Sequence, residues 1–149
     1  MRVHINIPVS NLGASVAFYQ GLFNREVTKL KDDYANFRLD EPGLHLALVQ
    51  VTGTPMAGDR HFGVEVVDHD SLSGMQRAVE SAGIPVRVEE QISCCYAVGD
   101  KFWATDPDGN DWEFWVRTGE SDALAPTSAS GESTAECCGP APEASSCCT

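Results

Sequence analysis

The chain is poor in basic residues and has no run of them: ten Lys and Arg stand against 22 Asp and Glu in 149 residues, a net charge of −12. Holding nucleic acid or an anionic membrane by charge needs the opposite balance, so neither is an expected partner. No apolar stretch approaches the roughly 20 residues that span a bilayer. Met1-Arg2-Val3-His4 leads straight into a strand-like alternation rather than the apolar core of a signal peptide. The length suits one domain, and the reading is a soluble, cytoplasmic chain. Also missing is the dispersed cysteine framework of a small secreted protein. All six cysteines occur as neighbours, Cys94-Cys95, Cys137-Cys138 and Cys147-Cys148, whereas chance placement gives only about 0.2 adjacent pairs. Neighbouring cysteines can close only a strained ring, so their natural use is as two reduced thiols acting on one soft centre.

Composition changes near residue 118. From Thr118 to Thr149 there is no Lys, Arg, aromatic residue, Val or Ile, and five acids (Glu120, Asp122, Glu132, Glu136, Glu143) carry five of the twelve net negative charges. Such a segment buries too little apolar surface to offset its ordering entropy, and residues 118–149 are expected to form a disordered acidic tail with two cysteine pairs.

Residues 1–117 contain a faint internal repeat, with modules at about 1–55 and 60–117. His4-Ile5-Asn6-Ile7-Pro8-Val9 and His61-Phe62-Gly63-Val64-Glu65-Val66 both place a His before apolar residues at every second position, the pattern of a half-buried strand. A helix is expected after each. The first runs through Ala14–Tyr19 to Gly21, capped by Ser10 or Asn11; the second runs from Leu72 to Ala82, capped by Asp70 or Ser71 and stopped by Gly83. Short strands follow near residues 26–30, 34–39 and 44–51, then 86–89, 101–105 and 111–116, with Asp106-Pro107-Asp108-Gly109-Asn110 as a strong turn. The expected fold is α+β: paired βαβββ modules forming a curved mixed sheet, helices outside and a shared concavity inside.

Strand parity decides which residues meet in that concavity. Val3, Ile5, Ile7 and Val9 form one face of the first strand, leaving His4 and Asn6 on the other. Phe62, Val64 and Val66 oppose His61, Gly63 and Glu65, while Trp112 and Phe114 oppose Asp111, Glu113 and Trp115. The polar set therefore contains His4, His61 and Glu113. Two imidazoles and one carboxylate can hold a divalent ion and leave positions open; that grouping suits Fe(II), with Zn, Ni, Co or Mn as substitutes. His45 reads as a surface residue in preference to a fourth ligand, His69 as an exposed loop residue, and Glu65 as either a neighbour of the metal or a water-facing side chain.

The repeated modules, the opening His-Ile-Asn-Ile-Pro-Val-Ser-Asn-Leu-Gly-Ala-Ser-Val-Ala-Phe-Tyr and the closing Trp-Ala-Thr-Asp-Pro-Asp-Gly-Asn-Asp-Trp-Glu resemble the glyoxalase/bleomycin-resistance/extradiol-dioxygenase group, the vicinal oxygen chelate superfamily. Tyr34-Ala35-Asn36-Phe37, His61-Phe62-Gly63-Val64-Glu65-Val66 and Cys94-Cys95-Tyr96-Ala97 with Asp100-Lys101-Phe102-Trp103 resemble its cadmium-induced protein and organoarsenical carbon–arsenic lyase subgroup. The resemblance implies a non-haem Fe(II), O2-dependent enzyme that releases arsenite from methylarsenite and trivalent aromatic arsenicals. It puts the metal on His4, His61 and Glu113, the first position being Gln or His among relatives, and the arsenic on Cys94 and Cys95. Those two cysteines are expected on a loop, and with Asp100 and Lys101 following immediately the segment could form a flexible lid. The tail thiols Cys137, Cys138, Cys147 and Cys148 are candidates for delivering arsenicals or for binding metal without a catalytic role. Two other functions compete: thiol-based sequestration of cadmium or arsenite, and a metal-dependent isomerase of the glyoxalase type. A site within one chain and a site across a homodimer are both open.

Overall fold

A computed structural model describes residues 1–55 and 61–122. The order is β1 (Val3–Val9), α1 (Leu12–Phe23), β2 (Lys29–Leu30), β3 (Tyr34–Leu39), β4 (Leu44–Gln50), β5 (His61–Val66), α2 (His69–Ser81), β6 (Arg87–Cys94), β7 (Ala97–Thr105) and β8 (Asp111–Glu120). This is βαβββ twice. Each module forms its own four-stranded sheet, ordered β1-β4-β3-β2 and β5-β8-β7-β6. Within each, β1 with β4 and β5 with β8 run parallel, and the remaining pairs are antiparallel.

The helices start where short polar side chains satisfy the first free N–H groups. Asn11 Oδ1 accepts from Ala14 N at 3.0 Å, which selects Asn11 over Ser10 as the cap of α1. Asp68 Oδ1 accepts from Ser71 N at 2.7 Å, so α2 begins earlier than expected and takes His69 into its first turn. Neither Asp70 nor Ser71 is the cap. The helix stops as expected, with Gly83 at φ 79 just beyond Ala82. The second strand is shorter than residues 26–30, because only Lys29 and Leu30 pair with β3. The last is longer: β8 continues to Glu120, and Ser121 N donates to Tyr96 O, so the folded body passes residue 117. Cys137, Cys138, Cys147 and Cys148 lie outside the described residues.

Helix α1 packs on β3 and β4, α2 packs on β5 and β8, and the helices touch each other. Their apolar faces and those of both sheets merge in one core around Tyr19, Phe37, Leu46, Phe102, Trp112 and Phe114. Each such chain contributes roughly 1.5–3 kcal/mol through burial. At the join between modules, Tyr19 of α1 donates its hydroxyl to Asp106 Oδ2 at 2.7 Å and accepts from Trp112 Nε1 at 3.2 Å. Burial, then the Asp106 carboxylate, raises the Tyr19 pKa far above the ordinary tyrosine value. Asp106 also closes the expected turn by accepting from Asp108 N at 3.0 Å and Asn110 N at 2.8 Å. Hydrogen bonds inside an apolar core thus stitch the modules together, Ser10 N donates to Asp108 across the same join, and the two four-stranded mixed sheets are the paired modules of the expected α+β fold.

Candidate functional site

The parity argument holds on β5 and β8. Register pairs His61 with Asp111, Gly63 with Glu113 and Glu65 with Trp115, which puts the polar residues of both strands on one face. His61 Nε2 lies 3.6 Å from Glu113 Oε2. Gly63 makes that approach possible, since a Cβ there would come within 3.3 Å of the Glu113 carbonyl oxygen and 3.6 Å of its Oε2. Glu65 is exposed on the same face and points to water.

His4 is elsewhere. It sits on β1, opposite His45 in register, and the two rings stack with centroids 4.4 Å apart and planes at 13°. Among the described residues no three His, Cys, Asp or Glu side chains gather as a metal-ligand group. His45 is half-buried with its Nε2 shielded and without a hydrogen-bond partner, so it is more than a surface residue. Desolvation, followed by the neighbouring His4, Arg38 and Arg2, lowers its pKa below the usual histidine value. His69 is exposed, on the first turn of α2, with its Nδ1 3.3 Å from Asp100 Oδ2.

Three site residues were not singled out from the sequence. Lys101 is buried and donates from Nζ to Glu113 Oε1 at 2.8 Å. Trp103 pairs in register with Glu113 and turns an edge to His61, centroids 5.2 Å apart. Arg87, opposite Trp103 on β6, holds its guanidinium 5.2 Å from the indole centroid and bonds Glu89. The alternation Lys101, Phe102, Trp103, Ala104 carries this information once β7 is taken to start before residue 101. Asp100 and Lys101 therefore belong to a regular strand, and Asp100 Oδ1 accepts from Gln91 N at 2.6 Å. A lid at this point is not what the segment forms.

The thiols converge, but through a hairpin rather than a loop. Cys94 ends β6 and pairs with Ala97, while Cys95 and Tyr96 make a two-residue turn with φ 56 and φ 65. Such turns ordinarily take Asn-Gly, because both positions need positive φ. Here the side chains are kept at a conformational cost, and the Sγ atoms stand 3.1 Å apart. Two sulfurs bound at about 2.3 Å to one soft centre sit about 3.3–3.8 Å from each other, so this gap is near the bite required. A register shift between Glu89 and Ile92, with Gln91 at φ 51, brings Ile92 opposite Gly99 and thus turns Cys94 to the face that carries Lys101 and Trp103. Along β7 the thiol end is six residues from Trp103, about 20 Å.

Two of the three expected metal ligands are thus adjacent on one face. Nitrogen and oxygen ligands at about 2.1 Å from one ion lie roughly 3 Å apart, close to the His61–Glu113 spacing. The Lys101 ammonium on Glu113 shows a carboxylate already arranged to hold positive charge. The donor set fits a divalent ion, with its third ligand still to be supplied.

The family profile of the glyoxalase/bleomycin resistance protein/dioxygenase superfamily matches residues 2–114. The chain belongs to this superfamily. Within it, the chain is 36% identical over 143 residues to the "Probable trivalent organoarsenical cleaving enzyme" of Bacillus subtilis (strain 168), covering 91% of this chain and 98% of the relative. It is 39% identical over 124 residues to the "Trivalent organoarsenical cleaving enzyme" of Thermomonospora curvata, covering 83% and 82%. "Cadmium-induced protein CadI" of Mycobacterium bovis is 35% identical over 123 residues, covering 83% and 80%. A superfamily crystal structure from Alicyclobacillus acidocaldarius superposes with a TM-score of 0.66 at 19% identity, covering 78% of this chain and 91% of that one, a likeness of fold alone. Among the described residues no helix is long and apolar enough to cross a membrane.

Proposed function

We propose that this superfamily member cleaves the carbon–arsenic bond of trivalent organoarsenicals and releases arsenite. The 3.1 Å approach of Cys94 Sγ to Cys95 Sγ, on the face that carries His61 and Glu113, supports the reading most directly. Methylarsenite has one carbon and two exchangeable hydroxyls. Two thiols displace both as water, forming two As–S bonds and leaving the As–C bond exposed. A single thiol holds the group weakly, and a third has no place on it. The names of the relatives agree with this substrate class.

His61 and Glu113 of one chain and His4 of a second copy would hold Fe(II), in a homodimer. β1 and β5, which carry the two histidines, are both edge strands, free to approach a partner's edge. Bound there, Fe(II) with O2 supplies the oxidising power to break the As–C bond. The residues of the chain do the rest. Cys94 and Cys95 would fix arsenic through two bonds, Trp103 packs an edge against the His61 ring, and Lys101 orients Glu113 by its hydrogen bond. The ladder below the hairpin tip is interrupted twice, between Glu89 and Ile92 and between Val98 and Gly99, and bending of the tip toward Glu113 at these points would be needed to bring bound arsenic to the metal.

The test is anaerobic loading of the full chain with Fe(II), addition of methylarsenite and then air, and measurement of arsenite. Release that requires both O2 and Glu113 is expected. Tight arsenical binding without release would falsify this reading in favour of sequestration. Turnover of a glyoxalase-type substrate by the Cys94→Ser/Cys95→Ser variant would favour the isomerase.

A further inference from the structure

Asp100 stands on the opposite side of the second sheet from the thiols. It alternates with Gly99 and Lys101 along β7 and pairs with the core residue Val116, so its side chain lies on the helix side, away from Cys94 and Glu113. Oδ1 accepts from Gln91 N at 2.6 Å and from Gln91 Nε2 at 3.1 Å, and Oδ2 lies 3.3 Å from His69 Nδ1 on the first turn of α2. One carboxylate thus ties a single residue of β6 to a helix. That residue is the irregular one. Glu89 pairs with Lys101 and Ile92 with Gly99, so two steps along β7 are matched by three along β6, and Glu90 and Gln91 share the place opposite Asp100. Gln91 takes φ 51, which a glycine adopts freely and a glutamine only at a cost. It has no partner in the register, and its N–H donates to the carboxylate in a charge-assisted bond.

We propose that Asp100 is the positioning residue of the thiol pair: bonded to Gln91 and braced by His69, it holds the extra residue of β6 in place and so fixes the register that turns Cys94 to the face of Lys101 and Glu113. The inference rests on the reading that Cys94 and Cys95 hold arsenic. Its consequence follows from the register. Continued without the extra residue, the Glu89–Lys101 pairing sets Gln91 opposite Gly99 and Ser93 opposite Ala97. Cys94 then leaves the ladder for a three-residue turn, and the backbone geometry that sets the two Sγ atoms 3.1 Å apart is lost. Asp100 acts from behind the sheet, through the β6 backbone, and not by contact with the substrate.

The experiment compares Asp100→Ala, Asp100→Asn and Asp100→Ala/Gln91→Gly in the full chain, metal-free and anaerobic, by methylarsenite titration and by cross-strand NOEs between β6 and β7. Asparagine keeps an oxygen acceptor at the same point. Glycine removes the cost of the positive φ, so the bulge persists without its brace. Asp100→Ala is expected to weaken methylarsenite binding about tenfold, part of the roughly 10²-fold loss that removal of one As–S bond brings, and to move the contact of Gly99 from Ile92 to Gln91. Asp100→Asn should stay within about threefold of wild type, and Gln91→Gly should return the alanine variant to the same range. Asp100→Ser, too short to reach Gln91, gives the same readings where the alanine variant is unstable. A glycine does not repair a general loss of stability, so failure of that rescue overturns the proposal. An Asp100→Ala variant with wild-type affinity and an unmoved Ile92–Gly99 contact overturns it as well. If the contact moves to Gln91 while methylarsenite affinity equals wild type, the register role stands and the dithiol assignment of the substrate falls.

Discussion

Replacing Tyr19 with Phe removes a single oxygen from a side chain with no exposure, at the point where the two modules are joined. Two hydrogen bonds go with it, to Asp106 Oδ2 and from Trp112 Nε1. The losses are unequal. Asp106 Oδ2 keeps Asn110 Nδ2 at 2.9 Å and Oδ1 keeps two backbone N–H groups, so the carboxylate remains paired. Trp112 is 1% exposed, and its indole N–H is left facing an apolar ring. A bond to a charged acceptor contributes about 1.5–3 kcal/mol and a stranded buried donor costs about 1–3 kcal/mol. Because Asp106 retains its other partners, the net destabilisation is expected near 2 kcal/mol. With a urea m-value of about 2 kcal/mol/M, the unfolding midpoint moves down by about 1 M at constant m. Tyr96→Phe, at an exposed turn position, is the control and should stay within about 0.5 kcal/mol. A Tyr19→Phe midpoint equal to that control would refute the view that this hydrogen-bond chain fastens the modules together.

Three further predictions concern the site and the helices. His4→Ala and Glu113→Ala should each abolish Fe(II)-dependent turnover. After joint refolding, random pairing should restore about a quarter of the wild-type rate, because half the dimers carry one intact site of two; no recovery in a mixture shown by mass to contain hybrids would rule out a shared site. Cys95→Ser should weaken methylarsenite binding on the order of 10²-fold in anaerobic competition, since the second As–S bond forms intramolecularly; a change under threefold would remove the dithiol from the substrate assignment. Asp68 has its pKa lowered mainly by the backbone hydrogen bond from Ser71, so its contribution is complete above the unfolded aspartate value near 3.8 and is lost as pH falls through the lower folded value. Asp68→Asn, which keeps the cap without titrating, should flatten the acid limb of α2 unfolding followed by circular dichroism, and an unchanged limb would assign that limb to other groups.

The sequence made the repeated βαβββ order and the shared face of His61 and Glu113 legible, because strand alternation maps directly onto sheet faces. It did not reveal how the modules meet. Both module faces are amphipathic, and alternation does not say whether His4 closes on His61 in its own chain or in another. Cys94 shows a second limit. Two-residue periodicity places Cys94 opposite Arg87 and Glu89, whereas the register shift at Gln91 returns it to their side. Nothing in Glu89-Glu90-Gln91-Ile92 marks that shift, since Gln91 has no intrinsic preference for positive φ. Lys101 was hidden for a different reason. A lysine in an acidic chain reads as a solvated charge until its strand is known to run beside Glu113.

The spacing of Cys94 and Cys95 also governs how the protein must be handled. The strained ring that a disulfide between neighbours would close favours keeping both thiols reduced, but oxidation of either one removes the two-sulfur grip as a whole rather than grading its affinity. Arsenical capture is therefore tied to the reducing state of the surroundings as an on-off property. The choice of reductant matters equally: a dithiol reagent offers arsenic the same two-sulfur grip and competes with the hairpin, whereas a phosphine preserves the thiols without entering that competition.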